Sequence, residues 1–377
     1  MFDLETLRLI WWVLVGVLFI GFAIMDGYDL GAAILFPLVT RNETERLIVL
    51  QTLGPFWEGN QVWIVLGAGA MFAAWPIVYA VAFSGPYFVV LLLLLTMGIS
   101  RPVSFKYRTK LPNLFWRRCW DWIVFIGGLF PALLFGMLVG NILQGLPFAF
   151  DTNLRMTYEG TFVDLINPFA LWCGLTGMVM LVMHGGIYLA VKTYDPIRAR
   201  AIHWARLAAL GVILLFIGGG IWVAYFLPGY QLPIPVDPAG FSNPLHKQVI
   251  AVVGGWLANY QHYPFTMVLP IIGVLSALGV VFTAKQGNSR LAILLSSLSI
   301  IGIIGTVGVS MFPFILPSSH HLPSSLLIWD ASSSAPTLLL MLVSVIIFLP
   351  MILLYTAWVR YVLRGKVDKE TVDKQAY

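Results

Sequence analysis

The chain has 377 residues, of which 59% are hydrophobic and only 10% charged, with a formal net charge of +5. Together with a mean hydropathy of +0.87, this excludes an ordinary soluble domain and points to an all-α, polytopic membrane protein. The basic balance does not mean nucleic acid, because the Lys and Arg residues sit in short segments beside apolar runs, where they set membrane orientation.

A membrane-crossing helix needs about 20 apolar residues, and nine such runs follow in order: 9–38, 48–75, 78–100, 121–142, 165–190, 205–227, 264–284, 291–313 and 336–359. The first is preceded by Asp3 and Glu5, unlike the basic start of a cleaved signal peptide, so it is expected to stay as a span. The linking segments alternate in charge. Arg41 and Arg46, the run from Arg101 to Arg118, Lys192 to Arg206, Lys285 and Arg290, and Arg360 to Lys374 put nineteen cations on one side. Arg8, Arg155 and Lys247 make three on the other. The positive-inside rule then predicts an N-terminus outside the cell membrane and a C-terminus in the cytoplasm. The long loops 143–164, 228–263 and 314–335 fall outside, and Val249 to Tyr260 reads as an amphipathic stretch on the surface.

The spans divide into two four-helix units, 1–142 and 165–313, a peripheral last helix at 336–359 and a short cytoplasmic tail at 360–377, all in one membrane domain. Small residues such as Gly67, Gly69, Ala73, Gly218 to Gly220, Gly302, Gly305 and Gly308 are expected to let helices pack closely. Trp11, Trp12, Trp75, Trp116, Trp120 and Trp122, near span ends, read as interfacial anchors. Cys119 and Cys173 fall at different depths and are not expected to pair. No Cys-x-x-Cys-His or zinc spacing occurs.

The chemistry concentrates in two stretches, Met25-Asp26-Gly27-Tyr28-Asp29-Leu30-Gly31 and Gly54-Pro55-Phe56-Trp57-Glu58-Gly59-Asn60-Gln61-Val62-Trp63. Asp26 and Asp29 are three apart, hence on one helix face. Twelve residues separate Asp29 from Arg41, and twelve separate Arg46 from Glu58. In a hairpin closed at that turn the acids lie at one level, about 18 Å from the loop at 1.5 Å per residue. Close carboxylates in a low-dielectric setting cannot all ionise, so one is expected to hold a proton, as a proton relay requires. Gly54 and Pro55 free backbone groups that are tolerated at membrane depth only in protein or beside water, and Asn60 and Gln61 can bridge waters. The plain reading of the same residues is a polar cluster that locks two helices together. Asp121 is expected to pair with Arg117 or Arg118 at the interface. His184 is expected to be a hydrogen-bonded packing residue, and His246, His262, His320 and His321 to be solvated loop residues.

Ten blocks in register over the chain carry a resemblance: Ile10-Trp11-Trp12, Met25 to Gly31, Trp57 to Trp63, Phe72 to Pro76, Arg101-Pro102-Val103, Trp120-Asp121, Gly140 to Gly145, Ser242 to Leu245, Met311 to Phe314 and Trp329 to Ser333. The chain resembles subunit II of cytochrome bd-type quinol oxidases. That resemblance implies a respiratory complex that passes electrons from quinol to oxygen. Haem b and haem d, or a further haem b, would be held by subunit I, and this chain would hold no metal. It implies a proton path along Asp29 and Glu58, supported by Asp26, Asn60, Gln61, Trp57 and Asp121, with Arg101 near its entrance. Implied partners are subunit I, quinol and lipid, with a bound quinone and a small accessory membrane subunit as open options. Many members have Asp where this chain has Glu58; those with Glu resemble the alternative or cyanide-insensitive branch. Two rival readings of the residues are a purely structural membrane subunit and a proton-coupled secondary transporter. The transporter reading expects broken helices in both halves, and the acid-bearing break occurs in the first half alone.

Overall fold

The computed structural model describes residues 3–368; Lys369 and Lys374, counted above with the basic side, lie outside the described residues. Among the described residues, eight helical stretches are long and apolar enough to cross a membrane: Leu4–Val39, Tyr87–Tyr107, Leu114–Gln144, Pro168–Lys192, Ile197–Tyr225, Pro264–Lys285, Ser289–Met311 and Ala335–Val362. The ninth expected crossing, 48–75, is a broken pair of helices whose second member carries Glu58, Asn60 and Gln61 in its first turns. Those polar residues are why it falls below the others in hydropathy.

In chain order, α1 (Leu4–Met25) and α2 (Gly27–Val39) join through Asp26, and α3 (Glu43–Leu53) and α4 (Trp57–Ala74) flank the Gly54–Pro55 break. Next come α5 (Pro76–Ser84), α6 (Tyr87–Leu93), a π-helical turn at Leu94–Ser100 and α7 (Arg101–Tyr107). The long helices α8 (Leu114–Gln144), α9 (Pro168–Lys192) and α10 (Ile197–Tyr225) precede the short α11 (Ala258–His262), then α12 (Val268–Lys285), α13 (Ser289–Met311) and α14 (Ala335–Val362). Side-chain caps set several starts: Asn42, Asn167 and Asn288 each accept a backbone N–H from the first turn of the helix that follows.

Helix α9 lies at the centre, packed against α2, α8, α10 and α13. Backbones touch there. A Cβ on Gly31 would lie 1.9 Å from the Leu181 carbonyl oxygen, and one on Gly185 would lie 2.4 Å from the Ala32 nitrogen. Of the glycines expected to mediate packing, Gly302 does so against Gly273, whereas Gly69 and Gly220 meet nothing within 4 Å. One apolar core joins Phe22 and Ile34 to Met183, Ala209, Ala277 and Ile300, so helices from both expected units interleave. Helix α14 buries just Leu338 and Leu342 among its described residues, in keeping with a peripheral position.

The long loops form three antiparallel hairpins: β1 (Phe148–Phe150) with β2 (Met156–Tyr158), β3 (Pro228–Gln231) with β4 (Ile250–Val253), and β5 (Phe314–Leu316) with β6 (Leu326–Leu327). The stretch from Val249 to Tyr260, expected on the surface, lies there only in part, with Ile250–Val253 exposed. Its first half pairs as a strand, and Trp256 is buried, donating to the Leu143 carbonyl at 3.0 Å. Trp11 and Trp75 are likewise core residues rather than anchors, with indole N–H groups on the carbonyls of Leu338 and Ile328. Under these hairpins, Arg8 donates to Ser332 Oγ at 2.7 Å, to Ser242 Oγ at 3.1 Å and to the carbonyls of Pro238 and Gly240. Beside it Lys247 Nζ lies 2.6 Å from Asp330 Oδ2, both almost wholly buried. Burial pushes the Asp330 carboxyl up and the Lys247 ammonium down, each opposed by the other's charge.

On the basic side Arg108 is fully buried and ties three elements together. It meets both Glu43 carboxylate oxygens, at 2.8 and 2.9 Å, and Asp121 at 2.5 Å. Asp121 also pairs with Arg46 at 3.1 Å, and Arg117 pairs with Glu43 instead. The expected Asp121 partners, Arg117 and Arg118, are thus corrected to Arg108 and Arg46. A planar guanidinium can bridge two carboxylates at once, and the turn after α7 brings Arg108 between them.

Candidate functional site

Asp26 sits where α1 gives way to α2, and its Oδ1 accepts from Arg101 Nη2 at 2.7 Å with both side chains fully buried. The π-helical turn immediately before Arg101 shifts the backbone register at the start of α7. Gln61 Nε2 donates to the Met97 carbonyl within that turn at 2.9 Å, so this amide helps hold the irregular backbone. Three residues beyond Asp26, Asp29 Oδ2 accepts from Asn60 Nδ2 at 2.7 Å. The same amide nitrogen lies 2.6 Å from the Tyr28 hydroxyl. Tyr28 stacks on Tyr188 with ring centroids 4.0 Å apart, and the Arg360 guanidinium sits 5.6 Å from the Tyr28 ring. Tyr188 OH in turn donates to the Thr52 carbonyl just before the helix break.

The structure therefore brings together Asp26, Asp29, Asn60 and Arg101, with Gln61 beside them. It does not bring Glu58 into that cluster. Glu58 is exposed. At 100° per residue, two steps along α4 turn the helix by about 200°, so with Asn60 facing Asp29 the Glu58 side chain points the opposite way. The twelve-residue arithmetic gives the level to within a turn, and the face goes to the amide. Glu58 heads an exposed stripe at helical spacing through Val62, Val65, Gly69 and Phe72. Arg101, expected near an entrance, is instead locked in the interior on Asp26. Trp57 is half-buried with its ring 6.2 Å from that of Phe105, and Asp121 belongs to the Arg108 network.

Four atoms of the cluster, Asp26 Oδ2, Asp29 Oδ1, Arg101 Nε and Arg101 Nη1, are buried without a partner among the described residues. Such atoms are costly in a dry interior; water can meet all four, and a proton only the two carboxylate oxygens. Sequence reasoning missed Tyr188 and Arg360, which come from the middle and the far end of the chain. Tyr28 lay inside the quoted motif and went unassigned.

Among the described residues no three His, Cys, Asp or Glu side chains gather as a metal site. His184 is buried with Nδ1 2.8 Å from Ser296 Oγ and Nε2 3.0 Å from the Ile24 carbonyl oxygen, the hydrogen-bonded packing role expected for it. Neither ring nitrogen is free for a haem iron, so this residue does not fit an axial ligand.

The family profile described as cytochrome bd terminal oxidase subunit II matches residues 7–363. The chain belongs to that family. It is 42% identical to the cytochrome bd-I ubiquinol oxidase subunit 2 of Escherichia coli (strain K12), covering 100% of this chain and 99% of that protein. A cytochrome bd ubiquinol oxidase subunit 2 from Bacillus subtilis (strain 168) is 29% identical over 365 residues, covering 97% of this chain and 98% of its own length. A chain of the bd oxidase structure from Geobacillus thermodenitrificans shares the fold, with a TM-score of 0.69 at 15% identity, over 96% of this chain and 100% of that one. As a subunit II family member, the protein is a multi-pass bacterial inner-membrane protein of respiratory electron transport.

Proposed function

We propose that this chain supports the haem-bearing subunit I of a quinol:oxygen oxidoreductase and carries part of the route that brings cytoplasmic protons to the oxygen-reducing haem. The haems, b and d or a second b, belong to subunit I in this reading. The N-terminus is periplasmic and the basic side, with the Arg108 network, is cytoplasmic.

The observation that carries the reading is the exposed Glu58 at the head of an otherwise apolar stripe, two residues from the amide that holds Asp29. An ionised side chain facing lipid costs roughly 2.5 to 3.5 kcal/mol on insertion scales. A partner surface that covers the stripe removes that cost and turns Glu58 into a carboxylate at the subunit boundary. Asp29, buried with one unpartnered oxygen, supplies a second protonatable group. A cavity of about 800 Å³ reaches from the basic side to Tyr28 and His184, which leaves the Asn60 amide as the next link to Asp29. In this scheme Asp26 is structural, because its ion pair with Arg101 fixes the junction of α1 and α2.

Glu58→Gln tests the reading in the assembled complex. Haem content and recovery stay normal while oxygen consumption per haem falls about tenfold, which corresponds to about 1.4 kcal/mol in the barrier. Full turnover with normal proton uptake contradicts it. Lost recovery at unchanged turnover per haem instead favours a purely supporting subunit.

A further inference from the structure

The cavity that reaches Tyr28 has a second property unrelated to protons. Six cations line it: Lys192 from the end of α9, Arg198 from the start of α10, Arg290 from the start of α13, and Arg360, Arg364 and Lys366 from the end of α14 and the segment after it. Among the described residues no Asp or Glu lines it. Several of these cations rest on aromatic faces: Arg360 on Tyr28, Arg364 on Tyr361 at 4.4 Å and Lys366 on Tyr194 at 4.5 Å. Like charges gathered from four elements repel one another, and an anion between them relieves that repulsion.

Polar groups in the wall point to an oxyanion. Ser289, 9% exposed, lines the cavity, and its Oγ has no partner among the described residues. It opens α13, a helix of 23 residues whose N-terminus also favours negative charge. Arg198 donates from Nη2 to the Gly287 carbonyl at 2.9 Å, which fixes it beside that N-terminus, and its Nε is unpartnered. The inner wall is different. Ile24, Phe56, Val191 and Ile293 make it apolar where it enters the membrane-spanning bundle. Along α14, Met351, Leu354, Tyr355 and Trp358 are exposed over the two turns before Arg360.

We propose that this cavity binds the headgroup phosphate of an anionic phospholipid, with its acyl chains lying on the apolar surface of α14. A cationic mouth opening at the basic membrane face, an unpartnered hydroxyl at a helix N-terminus and apolar walls match that amphiphile better than a freely soluble anion. Polybasic groups at this leaflet attract acidic lipids by the same electrostatics. The bound lipid would also fasten the sparsely buried α14 to α9 and α13.

The test uses the intact oxidase complex stripped of lipid by detergent and titrated with phosphatidylglycerol, phosphatidylcholine or inorganic phosphate, with retained lipid counted by native mass spectrometry. Wild type is expected to retain one phosphatidylglycerol through washing that removes phosphatidylcholine, and inorganic phosphate does not displace it at equal concentration. Ser289→Ala with Arg290→Gln lowers that retention at least tenfold with haem content unchanged. Should that variant fail to assemble, Arg364→Gln, at an exposed position, is expected to weaken retention several-fold. Equal retention of both lipids, displacement by inorganic phosphate, a quinone retained in place of phospholipid, or undiminished retention in the variants overturns the proposal.

Discussion

Two buried charge clusters invite comparison. Beneath the hairpins, Arg8 makes four hydrogen bonds, while Lys247 and Asp330 pair with each other and with neighbouring backbone groups. None of their side-chain polar atoms is left without a partner. The cluster of Asp26, Asp29 and Arg101 is as deeply buried, yet four of its atoms have none among the described residues. A satisfied network fixes loops on a bundle, whereas the second cluster sets a structural ion pair, Asp26 with Arg101, beside an Asp29 oxygen left open to water or a proton. The difference separates a structural use of buried charge from a proposed chemical one.

The contrast can be broken first where the effect should be greatest. Lys247→Met leaves Asp330 buried without its counter-charge, which is expected to cost about 3 to 5 kcal/mol. Thermal unfolding and recovery of the complex should show this loss, and adding Asp330→Leu should restore most of it. A single variant as stable as wild type would mean the pair under the hairpins is not structural. The smallest effect belongs to the half-exposed rim of the Arg108 network. Arg108 holds the Glu43 carboxyl below its ordinary value of 4.5, so its contribution is present above that value and is lost as pH falls through the lowered one. Glu43→Gln should therefore cost about 0.2 to 1 kcal/mol at neutral pH. The gap from wild type should close in acid, which a comparison of melting temperatures at pH 7 and below pH 4.5 would check.

Much of the fold could be read in the chain because membrane crossings are local. Twenty apolar residues and alternating charge need no knowledge of tertiary contacts, and the Gly54–Pro55 break lies where those residues stand. The level of the acid site was equally legible, since helical rise is constant. Its facing was not. Whether Glu58 or Asn60 turns inward depends on the rotation of α4 against α1, α2 and the π-helical turn, and a count from the loop carries no such information. Arg108 could not be chosen over Arg117 for Asp121 by proximity in sequence, because a bend after α7 decides it. The cationic cavity was least legible, as it exists only where residues from distant parts of the chain converge.

The most direct test of the central claim, that the unsatisfied cluster handles protons, is the rate of proton uptake per haem by the purified complex carrying Asp29→Asn. Asparagine keeps the shape and a hydrogen-bonding group but cannot exchange a proton. The account predicts normal haem content and assembly, with uptake and oxygen consumption slowed about tenfold together. Uptake at the wild-type rate in a fully assembled complex would contradict it.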